Sequence, residues 1–303
     1  MTAPSSPVWP HDSSDSAIVA RHVAADTSLR NRDQRVPRVQ SKLPTFVRGR
    51  VLARRFFVDE VFEFTPQCTF LRAHDLELER VVLVRLLPRP EPEPNHVVAT
   101  GWFRRLDHPL STAGILGTLG VGVLRGGWPL LVCQYWRGRS LAAFLRAGDE
   151  PNLLLILQLA RQIALAMAEA HRAGQAHGEL RPDDVWLCRQ PDGNERAMLL
   201  GFQPRGSTEM GPALVDRDLH SVGDLLSLMV ASLVPRYRSA AHKLAFDGIA
   251  RDGGPLLVLV SPLARVAARC QRPDDGRRRY GSAAEVAGAL EQIESIAAQL
   301  SAD

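Results

Sequence analysis

From Arg55 onward the chain runs in short apolar blocks separated by turn residues. "RFFVDEVFEF", "RVVLVRLL" and "WPLLVCQYW" are rich in β-branched and aromatic residues and read as strands. The Pro-rich "RPEPEPN" from Arg89 to Asn95 cannot be helical. After the "RGRS" that closes the third block, the apolar positions take a helical period. Pro151–Arg172 is long and almost wholly apolar, and Gly174 stands where it can cap the end. Asp218–Ala231 carries apolar residues at helical spacing. Ser282–Leu300 opens on "SAAE", a capping box, with Val286, Leu290, Ile293, Ile296 and Leu300 on one stripe. Strands first and helices afterwards predict an α+β chain of two lobes, a small β-rich one over 46–135 and a larger helical one over 136–303. Residues 1–45 are rich in Ser, Asp, Pro and Arg, have no period, and read as a disordered tail.

The chain has 303 residues, 45% of them apolar, enough for two lobes with cores of their own. No run of about 18 uninterrupted apolar residues occurs, so no transmembrane helix is expected; "LLLILQLA" meets Arg161 and Gln162 and reads as a buried helix. The N-terminus lacks the basic-then-apolar layout of a signal peptide. Cys68, Cys133, Cys188 and Cys270 have no paired spacing, which suits reduced thiols in a cytoplasmic protein better than disulfides or a zinc site. Net charge is +4, yet Arg35, Arg38, Lys42, Arg48, Arg50, Arg54 and Arg55 follow one another with no acid among them. This segment, Arg35 to Arg55, is a candidate surface for an acidic partner protein, nucleic acid or an anionic membrane, or else a solvated linker. The first part of the run holds no interleaved aromatics, which argues against nucleic acid.

The order of segments resembles a bacterial serine/threonine protein kinase domain over roughly residues 46–300. "ARRFFVDEVF" is similar to the first strand, and "LRAHDLELERVVLVRLLP" to the second and third. "RRLDHP" is similar to the segment after helix C, and "WPLLVCQYWRGRSL" to the strand and hinge between the lobes. "AHRAGQAHGELRPDDVWL" resembles the catalytic loop, "LLGFQP" the D-F-G segment, and "DRDLHSVGDLL" helix F. "RCQRPDDGRRRYGSAAEV" resembles the closing segment.

Each part that phosphoryl transfer needs has a counterpart, and each counterpart is altered. The Gly-rich loop falls in "EFTPQCTF", which holds no Gly, and Pro66 supplies no amide. Arg85 stands for the strand lysine, longer and planar; it reads either as that lysine's substitute or as a strand-end charge. The helix-C acid falls near Ala99, where none is found. H-R-D has become His177-Gly178-Glu179, with a carboxylate one methylene longer. Arg181 stands for the loop lysine and Asp184 for the metal-binding Asn; Asp183 and Asp184 also read as a polar turn. The metal-holding acid is Gly201, in Gly201-Phe202-Gln203. Phe202 to Asp218 is 16 residues, short for an activation segment, and has no A-P-E. Arg279, which the family pairs with that Glu, therefore needs another partner, and Ser207 and Thr208 are ordinary loop residues.

What the resemblance keeps is structural. His177 and Phe202 match the apolar column between the lobes. Asp218 matches the helix-F acid and is expected to accept from amides near Ala176–Gly178, because a buried acid needs hydrogen bonds. Around the adenine position the family's small residues give way to Phe70, Leu83 and Trp186, with Cys133 beside them, and predict a pocket filled by its own side chains. The alternative is a register slip of one residue, which turns Trp186 outward. These losses predict a pseudokinase, a regulatory or scaffolding protein-interaction module that is not an enzyme and takes no cofactor or metal. The other readings are an atypical phosphotransferase using Arg85, Glu179 and Asp184, and a nucleotide sensor. Trp102, Trp128 and Trp136 are further interface candidates.

Overall fold

A computed structural model describes residues 48–64, 68–88, 102–106, 113–147, 151–191, 193–202, 211–247, 259–272 and 279–302. The tail 1–45, the segment around Ala99, Thr65–Gln67, Gln203, Ser207 and Thr208 lie outside them, as do Lys42 and the basic residues before it.

The first lobe is a sheet of seven strands: β1 (Val51–Leu52), β2 (Phe56–Phe64), β3 (Thr69–Asp75), β4 (Arg80–Leu86), β5 (Trp102–Arg105), β6 (Thr118–Leu124) and β7 (Trp128–Gln134). They lie in the order β1-β2-β3-β4-β7-β6-β5, and every neighbouring pair is antiparallel. Successive residues face opposite sides of a strand, and here both sides are covered. Phe70, Leu83, Leu131 and Cys133 bury on the side toward the second lobe. Leu71, Val82, Val84, Leu130 and Val132 bury on the other, with Phe56 edge-on to Phe103 at 4.9 Å. Two-sided burial explains why these strands read as near-continuous apolar blocks rather than as alternation.

The turn between β3 and β4 is built on Asp75, which accepts from the amides of Glu77 and Leu78 and takes a two-pronged guanidinium from Arg55 at 2.7 and 2.8 Å. Arg55 also lies over the rings of Phe56 and Phe103. The last arginine of the basic segment is thus a structural clamp, its side chain only 11% exposed, and is not available to a partner.

Among the described residues the second lobe holds a three-stranded sheet, β8 (Gly138–Ser140), β9 (Val185–Arg189) and β10 (Glu195–Leu199), and five helices: α1 (Leu141–Arg146), α2 (Leu153–Arg172), α3 (Pro212–Asp247), α4 (Val260–Cys270) and α5 (Ala283–Ala302). Asn152 caps α2 by accepting from the Leu155 amide at 2.7 Å, and Gly174 follows its end at φ +75°. By length and composition α2 could cross a membrane, contrary to the expectation from run length. In the fold it is the central core helix, flanked by α5, β10 and α3. The helix expected over Asp218–Ala231 begins earlier, at Pro212. The capping box of α5 forms with one change. Ser282 Oγ accepts from the Glu285 amide, but Glu285 reaches back to Gly281 N–H rather than to Ser282. Ile296 departs from its predicted stripe and is exposed, and Ala297 takes the buried place. At 3.6 residues per turn, position 297 and not 296 follows 286, 290 and 293 on one face.

All four cysteines are free and buried. Burial pushes the Cys133 thiol up to about 11, and the Cys188 and Cys270 thiols up to about 12. At neutral pH these are core thiols rather than nucleophiles.

Candidate functional site

The residues singled out in the sequence converge where β4 meets the loop before β9. His177 and Gly178 follow α2. A single 3-10 turn, Pro182–Asp184, leads into β9, and Gly201-Phe202 follows β10. Asp218, fully buried on α3, holds this loop. It accepts from the amide of His177 at 2.9 Å, from that of Gly178 at 2.6 Å, and from His171 Nε2 at 2.8 Å. That is the role expected of it. His177 packs edge-on against Phe202 at 5.0 Å, and its Nε2 donates to the Leu200 carbonyl, which requires the proton on Nε2.

The charged groups pair with one another. Arg85 is buried, not a strand end reaching water, and donates to Asp184 Oδ1 at 2.5 Å across 99 residues of chain. Burial works against the guanidinium charge, but the Asp184 carboxylate outweighs it and holds the pKa above its ordinary value. The other oxygen of Asp184 accepts from the Arg181 amide at 2.8 Å. The polar turn read at Asp183-Asp184 and the link to Arg85 are therefore both present. Glu179 accepts twice from Arg181, at 3.0 and 2.6 Å, and lies 3.5 Å from Arg217. Gly201 is left-handed, at φ +92°. A Cβ there would stand 3.1 Å from Arg85 Nη1 and 3.2 Å from Asp184 Oδ1, so the pair occupies the space that a side chain at 201 would need.

Trp186 faces inward and is fully buried; the register slip that would turn it outward does not occur. Its ring lies 5.0 Å from that of Phe70, in one cluster with Leu83 and Cys133. Its Nε1–H donates to the carbonyl of Trp136 at 2.9 Å, in the segment joining the lobes. Gly138 makes this approach possible, since a Cβ there would meet the Leu187 carbonyl oxygen at 2.1 Å and Trp186 Nε1 at 2.9 Å. Arg279 finds a partner in place of the missing Glu: it donates to the Asp216 carbonyl at 2.6 Å, with the Asp216 carboxylate at 3.3 Å.

The Arg85–Asp184 pair, the arginine claim on Glu179 and the bond from Trp186 to Trp136 were not read from the sequence. Each joins residues far apart or depends on which way a ring turns, and no local pattern encodes either. Among the described residues no three His, Cys, Asp or Glu side chains gather to hold a metal. The residues present do not fit a magnesium nucleotide in this conformation. The Asp184 oxygens are engaged, position 201 has no carboxylate, and aromatic side chains fill the space beneath β3 and β4.

No protein-family model matches the chain. Among solved structures, a double-mutant form of the PknI kinase domain of Mycobacterium tuberculosis superposes with a TM-score of 0.53 at 19% identity, over 82% of this chain and 99% of that one. This chain has the protein kinase fold. A second PknI kinase domain structure gives 0.52 at 18% identity, over the same shares. In sequence, the kinase-fold chain is 24% identical to serine/threonine-protein kinase pkn3 of Myxococcus xanthus, over 68% of this chain and 43% of that protein. It is 25% identical to a probable serine/threonine-protein kinase of Clostridium acetobutylicum, over 46% of this chain and 21% of that protein. It thus spans less than half the length of either curated relative. These homologues correct the expectation that the chain is not an enzyme. One is named as a serine/threonine-protein kinase and the other as a probable one, so altered ligands alone do not place the chain outside that class. The physical reason is that charge of the family's sign persists at Arg85 and Glu179, while Asp184 puts a carboxylate where the family has a neutral Asn.

Proposed function

We propose that the chain works by protein–protein contact, as a regulatory or scaffolding module of kinase fold in serine/threonine signalling, within the cytoplasm. The observation that carries this reading is the Trp186 ring. It takes up apolar space between the lobes, and its one polar atom is spent on a carbonyl of the joining segment. A planar ring held by its own backbone cannot be displaced at the cost of a few ordered waters. A nucleotide must break a packed aromatic cluster and a buried hydrogen bond to enter. The test is thermal unfolding of the full chain with ATP, with and without magnesium. Neither is expected to raise the midpoint, whereas Trp186→Ala is expected to gain a nucleotide-dependent rise. A magnesium-dependent rise in the unaltered chain would refute the reading.

Serine/threonine phosphotransfer is the second reading, favoured by the names of the curated relatives and by the carboxylate kept at Glu179. It requires a conformation in which Glu179 leaves Arg181 and Trp186 leaves the cleft. Transfer from labelled ATP to the chain itself or to a generic basic substrate, lost by at least about 100-fold in Glu179→Gln, would establish it.

A further inference from the structure

The Arg85–Asp184 pair spans the cleft. Arg85 stands on β4 of the first lobe and Asp184 in the turn before β9 of the second, and their side chains are 7% and 6% exposed at a separation of 2.5 Å. The guanidinium reaches the point where that turn, the loop after α2 and the end of β10 come together. A Cβ on Gly201 would stand 3.1 Å from Arg85 Nη1, 3.2 Å from Asp184 Oδ1 and 3.4 Å from His177 Nε2. On its other side the Arg85 Cζ lies 5.6 Å from the centre of the Phe70 ring. Phe70 packs on Trp186 at 5.0 Å, and the Trp186 indole is bonded to the joining segment. One guanidinium thus ties the carboxylate of the second lobe to the sheet of the first and to the aromatic cluster between them. The tie depends on charge, because a carboxylate as buried as Asp184 is stable only with a cation or donors against it. Its second oxygen accepts from the Arg181 amide, while the Arg181 guanidinium bonds to Glu179. Among the described residues Arg85 is the cation paired with Asp184.

In the family that the chain resembles, positions 184 and 201 hold a metal ion. Here Gly201 brings no carboxylate, and the oxygens of Asp184 are taken. We propose that the Arg85 guanidinium is the chain's own interlobe cation: it does at Asp184 the bridging that an ion from solution would otherwise do, and it keeps the lobes closed on each other with nothing bound. The site is specific for charge and for a planar shape. A single carboxylate is a poor shell for a divalent ion, which takes several oxygens, but it matches a guanidinium. A partner would then meet the two lobes in one arrangement, set by the chain itself. The inference rests on the reading of the cleft as closed to a magnesium nucleotide. The nucleotide measurements probe the Trp186 ring, whereas the experiment below probes the cation with no nucleotide present, so each can fail alone.

The experiment is hydrogen exchange of the full chain, read at the amides of β3, β4 and β9 that border the cleft, with the thermal midpoint beside it. In the unaltered chain neither magnesium ion nor a chelator is expected to change either readout, and protection is expected to persist in high salt, because a buried pair is screened little. Arg85→Ala is expected to speed exchange at those amides by about 100-fold or more. Ethylguanidinium is the part of the side chain that this substitution removes. At millimolar concentration it is expected to restore protection saturably, and a variant too unstable to fold alone is expected to fold in its presence. Ethylurea, of similar shape without the charge, is expected to restore nothing, and ethylguanidinium is expected to do nothing for Arg85→Ala combined with Asp184→Leu. Four results would overturn the proposal: protection of the unaltered chain that changes with magnesium, chelator or salt; an Arg85→Ala chain that keeps its protection; no rescue by ethylguanidinium; or equal rescue by ethylurea.

Discussion

At the scale of single residues, the site is decided by how closely unlike groups approach. Gly201 is the clearest case. Its left-handed backbone strains any side chain there, and a Cβ 3.1 Å from Arg85 Nη1 and 3.2 Å from Asp184 Oδ1 would force that pair to give way by a few tenths of an ångström. Gly201→Asp is expected to lower stability by about 1–3 kcal/mol from strain alone, read as a fall in the thermal midpoint, with further loss from the carboxylate set against Asp184. The buried pair itself has a distinct signature. Arg85→Met leaves a carboxylate without its cation inside the core and is expected to cost about 3–5 kcal/mol. Arg85→Met combined with Asp184→Leu is expected to cost much less than the sum, and a double-mutant cycle in denaturant reads the difference. The chemical character of these positions was legible in the sequence, because each stood at a motif position with the wrong residue. Their partners were not legible, because residues 85 and 184 meet only through the fold.

At the scale of elements, local signals carried most of the outcome. The strands around β2, β4 and β7, the cap of α2 and the cap of α5 all follow from residue types at fixed spacing. The departures have physical causes. Ile296 slid off the α5 stripe because the true period is 3.6, and α3 began before its apolar run because Pro212 suits a first helical turn. The β3–β4 turn supplies a pH-dependent element. Burial disfavours the Asp75 carboxylate, but the Arg55 fork and the amides of Glu77 and Leu78 outweigh it and hold its pKa below the usual 3.8. A group depressed in the folded state contributes stability that is complete above its unfolded pKa and lost as pH falls through the folded one. Unfolding free energy is therefore expected to decline below about pH 4, and Asp75→Asn is expected to flatten that decline while lowering stability at pH 7. Chemical denaturation across a pH series measures both.

At the scale of the whole molecule, two lobes of different architecture meet through the Arg85–Asp184 pair and the apolar cluster in which Trp186 packs on Phe70, while Asp218 holds the loop after α2 within the second lobe. Asp218→Ala strips the acceptor from the buried His177 amide and from the Gly178 amide, and is expected to cost on the order of 2–4 kcal/mol. Loss of hydrogen-exchange protection at 176–178 would report it directly. The bilobal α+β architecture was readable from segment order. The closed state of the cleft depended on the direction of one indole, which composition and period leave open. The link from 85 to 184 also bears on how the protein is made. During synthesis Arg85 joins the chain 99 residues before Asp184 exists, so for that interval its guanidinium lacks this counter-charge. The nascent half must then stay loose and hydrated, or be shielded by a chaperone, until the later half arrives to neutralise it.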